Sequence, residues 1–245
     1  MNRDIYKQLS KHAPQSQIPR INMVWNSIPS HLAKQNKKFL YGALKHGARA
    51  TEFEIAIQWL IDAGLVYKVN RVSAVKSPLK FYEDMSSFKL FLFDVGLMGA
   101  MVDVSAEAML VGNSVFSEFK GMFTELFVFT QMISNNINPF YYSSEDAHRE
   151  LDFVIQGKLN VYPIEVKAEE NVHAKALKAF KQKNPELDAI RISMKNMIKQ
   201  DWLVNLPLYA FVDYLKRLEF LFYSFGKFIK RNIKRAGNTS HCANC

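Results

Sequence analysis

Residues 150–168 constrain the fold of this chain more than any other stretch. Glu150-Leu-Asp-Phe-Val-Ile-Gln156 alternates apolar and polar positions, Leu159 to Ala168 does so again, and Gly157-Lys158 stands between them. Alternation on both sides of a glycine turn predicts an antiparallel hairpin, because successive side chains of a strand leave on opposite faces. On the first strand Leu151, Phe153 and Ile155 share a face and Asp152 takes the other. On the second, Tyr162, Ile164 and Val166 share a face, with Glu165 and Lys167 opposite. With a two-residue loop at 157 and 158, residue 156 faces 159 and 152 faces 163. Asp152, Glu165 and Lys167 then emerge together, the two carboxylates as diagonal neighbours about 7–8 Å apart.

Two carboxylates and an ammonium on one face have a specific chemical use. Carboxylate oxygens hold a hard cation such as Mg²⁺, which lowers the pKa of a bound water and neutralises charge on a phosphodiester. A lysine beside them stabilises developing negative charge or positions the attacking water. The competing use is plainer: Glu-x-Lys on one strand face also keeps an exposed antiparallel strand soluble. A long helix is predicted for Val115 to Ile133, with Phe116, Phe119, Phe123 and Leu126 along one side. Glu125 lies about 200° around the wheel from Phe123, a position that ordinarily faces solvent. If this helix packs beside the hairpin, Glu125 becomes a third carboxylate.

Ahead of this region the pattern is helical. Ile21, Val24, Trp25, Ile28 and Leu32 form an amphipathic stripe that Pro29 should break or restart. A short helix is predicted for Lys38 to His46. A third begins at Thr51, whose spacing to Glu54 is that of a capping box, buries Phe53, Ala56, Ile57, Leu60 and Ile61, and stops at Gly64. Leu65 to Val72 alternates as a strand, Ser77-Pro78 marks a turn, and Phe88-Lys-Leu-Phe-Leu-Phe93 returns as its partner. Three helices and a hairpin make a winged-helix-like module.

Charge is distributed unevenly over the 245 residues. The net charge of +9 divides into +7 for residues 1–85, −3 for 86–209 and +5 for 210–245. The basic front, with Lys34, Lys37, Lys38, Lys45 and Arg49, suits DNA, a protein surface, or simple solvation of short helices. The acidic middle suits carboxylates gathered for a metal. Apolar windows such as Val95 to Val102 fall far short of the roughly 18 residues of a membrane span. The first residues lack a secretory pattern, and the only cysteines are Cys242 and Cys245, so a cytoplasmic protein is expected. His241-Cys-Ala-Asn-Cys245 offers too few ligands for a zinc site within one chain.

The run from Tyr6 to about Phe211 resembles a family. Its carriers are Ala48-Arg-Ala-Thr51 through Ala63-Gly-Leu-Val-Tyr67, Leu92-Phe-Asp-Val-Gly-Leu97, Glu150-Leu-Asp-Phe-Val-Ile155, Pro163-Ile-Glu-Val-Lys-Ala168 and Leu206-Pro-Leu-Tyr-Ala210. As a set they resemble the domain of unknown function 4143 that follows the ATPase module in predicted AAA+ ATPases of bacteria and archaea. The resemblance implies a winged-helix-like module (1–85) followed by a restriction-endonuclease-like α/β core (86–210); the basic helical tail (211–245) lies outside it. In the core, Asp152, Glu165 and Lys167 occupy the catalytic positions of the nuclease signature. Glu125, with Asp152 and Glu165, occupies the metal-binding positions for Mg²⁺. Leu151 stands where such signatures usually have proline. No G-x-x-x-x-G-K-[ST] loop occurs, since Gly42 and Gly47 lack the Lys-Ser/Thr sequel, so ATP binding is not expected here and an ATPase partner would act in trans. The implied function is a DNA-associated accessory domain with a Mg-dependent nuclease core, active or degenerate. The alternative is a non-catalytic interaction module or truncated remnant.

Two further helices are predicted. Asn171 caps one that runs to Lys183, with Lys175, Lys178 and Lys181 on a basic flank. Phe211 to Arg235 sets Leu215, Leu218, Leu221, Phe222 and Phe225 against seven basic residues, a pattern that fits an anionic membrane surface, nucleic acid or packing on the core. Ala189 to Ser193 and Leu206 to Ala210 read as strands.

Overall fold

The structure is a computed structural model that describes residues 11–34, 36–104, 114–144, 150–158, 160–168 and 175–217; for 114–118 and 175 only the backbone is described. Cys242, Cys245, the Asn171 cap and most of the basic tail lie outside the described residues.

Helix α1 (Ile18–Leu32) buries Ile21, Val24, Trp25, Ile28 and Leu32, the stripe read from sequence. It runs unbroken through Pro29. That proline falls in the last turn, where it removes one backbone bond, and the helix closes with the Ala33 N–H donating to Pro29 O at 2.9 Å. The helix expected at 38–46 shrinks to a 3₁₀ turn, Tyr41–Ala43. Its backbone is engaged elsewhere: Phe39 N–H donates to Phe88 O at 2.8 Å and Leu40 N–H to His31 Nε2 at 3.2 Å. Helix α2 (Ala50–Asp62) buries the expected face, but its N-cap is Arg49 without any side-chain cap, so Thr51 and Glu54 form no capping box. Gly64 ends the helix in the left-handed region at φ +69°.

Strands β1 (Val66–Val72) and β2 (Glu83–Leu92) form the hairpin predicted after α2. After α3 (Val95–Met101) and α4 (Ser114–Ser134) come β3 (Phe140–Ser143), β4 (Glu150–Gln156), β5 (Val161–Lys167), α5 (Lys175–Lys183), β6 (Ala189–Ser193), β7 (Ile198–Lys199) and β8 (Leu203–Pro207). All eight strands join one mixed sheet in the order β2-β1-β3-β4-β5-β6-β8-β7. The boundary expected between residues 85 and 86 therefore falls inside β2, and the hairpin extends the sheet of the α/β part, β1 lying parallel to β3.

Two apolar clusters occupy the two faces of this sheet. One contains Phe129 of α4 with Phe153, Ile155, Ile164, Ile190 and Ile192, and also receives α1, α2 and α3. The other contains Leu177 and Phe180 of α5 with Val154, Val161 and Ala189. Successive residues Phe153, Val154 and Ile155 of β4, and Ala189 and Ile190 of β6, go to opposite clusters, as the pleat requires. The architecture is thus α/β/α, with strands buried on both faces.

Candidate functional site

Hairpin β4–β5 departs from its expected register by two residues. Gln156 pairs with Val161 and Phe153 with Ile164, across a connection that starts at Gly157. Gly157 N–H donates to Asn160 O at 2.9 Å, and a Cβ on Gly157 would stand 2.7 Å from the Tyr162 ring, so the turn needs glycine.

A second departure decides where Asp152 points. Between β3 and β4 the register shifts: Tyr142 pairs with Leu151 but Phe140 with Val154, so two steps on β3 oppose three on β4. That is a β-bulge at Asp152 and Phe153, a device that re-aims side chains. Leu151 consequently packs in the α5-side cluster and Phe153 in the α4-side cluster. The single face expected for Leu151, Phe153 and Ile155 is broken. The simple parity that set Asp152 beside Glu165 and Lys167 is broken with it.

Asp152 is half-buried and faces charges from three elements. Burial and the neighbouring Glu125 carboxylate push its carboxyl up to about 6, against Lys37, Lys89 and the Val166 amide. That amide donates to Asp152 Oδ2 at 2.7 Å. Glu125, expected at a solvent-facing position, is 3% exposed. Helix α4 also buries Met122, Phe123, Leu126, Val128, Phe129 and Met132, and a helix apolar over so much of its circumference is a core element.

The buried Glu125 carboxylate is neutralised from the N-terminal part. Lys37, in the connection after α1, pairs with Glu125 Oε2, and Lys89 of β2 lies 3.8 Å from Oε1. Lys89 is fully buried, pairs with Glu150 and sits 4.7 Å from the Tyr141 ring centroid. Burial pushes the Glu125 carboxyl up, but Lys37 and Lys89 outweigh it and hold it below the ordinary carboxylate value. Burial likewise pushes the Lys89 ammonium down, and Glu125, Glu150 and Asp152 outweigh that. Glu125 Oε1 is buried without a hydrogen-bond partner.

Glu165 has different company. Its Oε1 lies 2.6 Å from Lys167 Nζ, and its Oε2 accepts from Leu177 N–H of α5 at 3.3 Å. It is in register with Arg191 of β6, which is in register with Asn205 of β8. Burial lowers the Arg191 pKa while Glu165 raises it. Glu125 and Asp152 thus belong to one charged group with Lys37, Lys89 and Glu150, while Glu165 contacts Lys167, whose charge also helps to hold Glu125 ionised. Among the described residues, no group of three or more His, Cys, Asp or Glu side chains is placed to hold a metal ion. In this arrangement the donors do not fit a divalent cation.

Lys89, Glu150, Arg191 and Asn205 were not singled out from sequence. One signal was present, a lone lysine inside the apolar run Phe88 to Phe93, since a lysine on a strand buried on both faces needs a carboxylate. The basic surfaces read from sequence are partly consumed internally. Lys37 faces Glu125, Lys45 lies 2.7 Å from Glu52, and Lys181 donates to Pro185 O and Leu187 O at 2.6 and 2.5 Å. Lys34, Arg49 and Lys178 are exposed. Helix α2, the recognition helix of a winged-helix reading, exposes Thr51, Glu54, Ile55, Gln58 and Asp62 and has no basic residue.

These features define a mixed α/β protein with a buried charge cluster at the junction of a helical front and an α/β half. Residues 120–210 match the model of a domain of unknown function, DUF4143, and residues 1–108 match that of another, DUF8612. The resemblance drawn across most of the chain is thus matched over residues 120–210, while residues 1–108 are similar to a different family model. No curated protein and no solved structure matches the chain. Among the described residues no helix is long and apolar enough to cross a membrane.

Proposed function

We propose that the chain is a DNA-associated accessory domain of the AAA+ ATPase-linked family, with a restriction-endonuclease-like, Mg²⁺-dependent core in a closed arrangement. The observation that carries this reading is the element order α4-β3-β4-β5-α5-β6, with antiparallel β3–β4–β5 followed by parallel β6. It distributes Glu125, Asp152 and the Glu165/Lys167 pair over α4, β4 and β5. Pairing of β4 with β5 runs to Phe153 and Ile164, so Asp152 and Glu165 both lie just beyond it. Opened to a cation, these carboxylates would bind it, and Lys167 would supply positive charge to a phosphodiester. DNA would be held by exposed groups such as Lys34 and Arg49, not by α2. The test is Mn²⁺ titration at millimolar concentration: binding by the native chain or by Lys37→Met, lost when Asp152→Ala is introduced, supports the reading. DNA affinity should fall steeply with salt, and a flat response removes DNA as the partner.

A second reading is favoured by the internal partners that Glu125, Glu150 and Glu165 already have. In it the carboxylates fasten the helical front to the α/β half of a non-catalytic interaction module. It requires that no variant which keeps the carboxylates binds Mn²⁺ and that loss of Glu125 unfolds the chain.

A further inference from the structure

We propose that Arg20, Lys45 and Arg49 form a phosphodiester-binding site on the helical front and that Glu52 occupies it as an internal competitor, so that DNA is held by its backbone beside the start of α2. The inference rests on the DNA-associated reading and adds which residues make the contact and what restrains it.

Local structure brings the three cations together from separate segments. Arg20 lies in the first turn of α1, where its Nη1 donates to Ser16 O at 3.2 Å. Lys45 and Arg49 flank a tight turn: Lys45 O accepts from Ala48 N–H at 3.1 Å, and Gly47 takes the left-handed conformation at φ +73°. Glu52 N–H then donates to Arg49 O at 3.1 Å as α2 begins. Helices α1 and α2 share one apolar cluster through Ile21, Val24, Phe53 and Ala56, and this packing sets Arg20 within electrostatic range of Glu52.

Glu52 is the carboxylate they surround. Lys45 Nζ lies 2.7 Å from Glu52 Oε2, with the two side chains 52% and 33% exposed, so a phosphate group can reach both. A hydrogen bond from Lys45 is the largest influence on Glu52. With the charges of Lys45, Arg20 and Arg49 it outweighs desolvation and holds the carboxyl below its ordinary value. Three cations on one carboxylate leave two positive charges unmatched, the surplus that a row of phosphates meets. Arg49 is exposed and among the described residues has no hydrogen bond or close ion pair of its own.

The outer face of α2 argues against base readout. Glu54 and Asp62 stand on either side of Gln58 there and would repel the phosphates flanking any base it approached. Contact is therefore with phosphates, which position a protein without specifying sequence. Neither 16–20 nor 45–52 exposes a large apolar side chain, as insertion into a lipid surface would need.

The experiment uses the full chain and two short fluorescein-labelled DNA duplexes of unrelated sequence, with anisotropy read across a salt series. Both duplexes should bind equally. Arg20→Gln and Arg49→Gln should each weaken both complexes and reduce the slope of log K against log salt by about one. Glu52→Gln, which frees Lys45, should tighten binding about two- to fivefold, the scale of one exposed ion pair, and steepen the slope by about one. Adding Lys45→Gln to Glu52→Gln should cancel that gain. Arg20→Lys keeps the charge and should keep the native slope, which separates a lost contact from a disturbed α1. Salt-dependent binding that Arg20→Gln, Arg49→Gln and Glu52→Gln all leave unaltered overturns this site and leaves DNA association standing. No DNA binding overturns both, and so does binding to phosphatidylserine vesicles alone. A strong preference for one duplex overturns contact through the backbone only.

Discussion

Arg191 of β6 donates from Nε to Asn205 Oδ1 of β8 at 2.8 Å, and both residues are buried. Asn205 also accepts from Ser193 Oγ at 2.8 Å and donates to Lys195 O and Asn196 O at 3.2 and 2.9 Å. One amide thus fixes a buried guanidinium and closes the turn between β6 and β7. Asn205→Ala removes four hydrogen bonds from this buried network and is expected to cost about 3 kcal/mol. Asn205→Asp keeps the acceptor and loses the two donor bonds, so it should fall between the two in urea unfolding at neutral pH. Equal stability of Asn205→Ala and the native chain would remove the network from the account of the fold.

Lys89 tests the charge cluster from the other side. Removing one member of a buried pair strands the remaining charges, and Lys89→Met should destabilise by about 3–5 kcal/mol although methionine fits the apolar surroundings. Lys89→Met with Glu150→Gln removes one stranded carboxylate as well. A recovery of roughly 1 kcal/mol or more in a double-mutant cycle is expected. Strict additivity of the two substitutions would mean that the ion pair contributes nothing.

The turn of hairpin β4–β5 makes a steric prediction. Gly157→Ala places a methyl 2.7 Å from the edge of the buried Tyr162 ring and should cost about 1–3 kcal/mol. Tyr162→Leu in the same chain should relieve most of this, while alanine at Gly121, which has nothing within 4 Å of its Cβ position, should be neutral or slightly stabilising. Thermal unfolding of these three variants beside the native chain checks both statements.

How much of this was legible depends on the range of the interaction. Local patterns located α1, α2, the first hairpin, α4 and hairpin β4–β5, because an apolar stripe of period 3.6 or 2 reports which face must leave water. The helix expected at 38–46 failed because its backbone groups bond to Phe88 and His31, partners distant in sequence. The bulge at Asp152 was invisible for a similar reason: pairing with β3, and not the alternation within β4, decides where the extra residue sits. Glu125 was assigned to solvent by its angle on the wheel. Its burial follows from lysines 88 and 36 residues away in sequence, which helical spacing does not contain.

Asp152 carries a pH dependence whose sign is fixed by its surroundings. Its carboxyl is raised from the ordinary 3.8 to about 6, chiefly by burial and then by Glu125. The folded state therefore binds this proton more tightly than the unfolded chain does. The contribution is fully present below about 3.8 and is lost as pH rises through about 6. Asp152→Asn keeps an oxygen to accept from the Val166 amide and removes the ionisation. It should be more stable than the native chain at pH 8, by roughly 1–3 kcal/mol on the scale of 1.36 kcal/mol per pKa unit, with the difference disappearing towards pH 4. Lys37→Met in the native background withdraws a compensating cation, so it should widen the gap that Asp152→Asn closes at pH 8. A difference that is flat from pH 4 to 8 would mean that Asp152 does not titrate within the Glu125, Lys37 and Lys89 cluster.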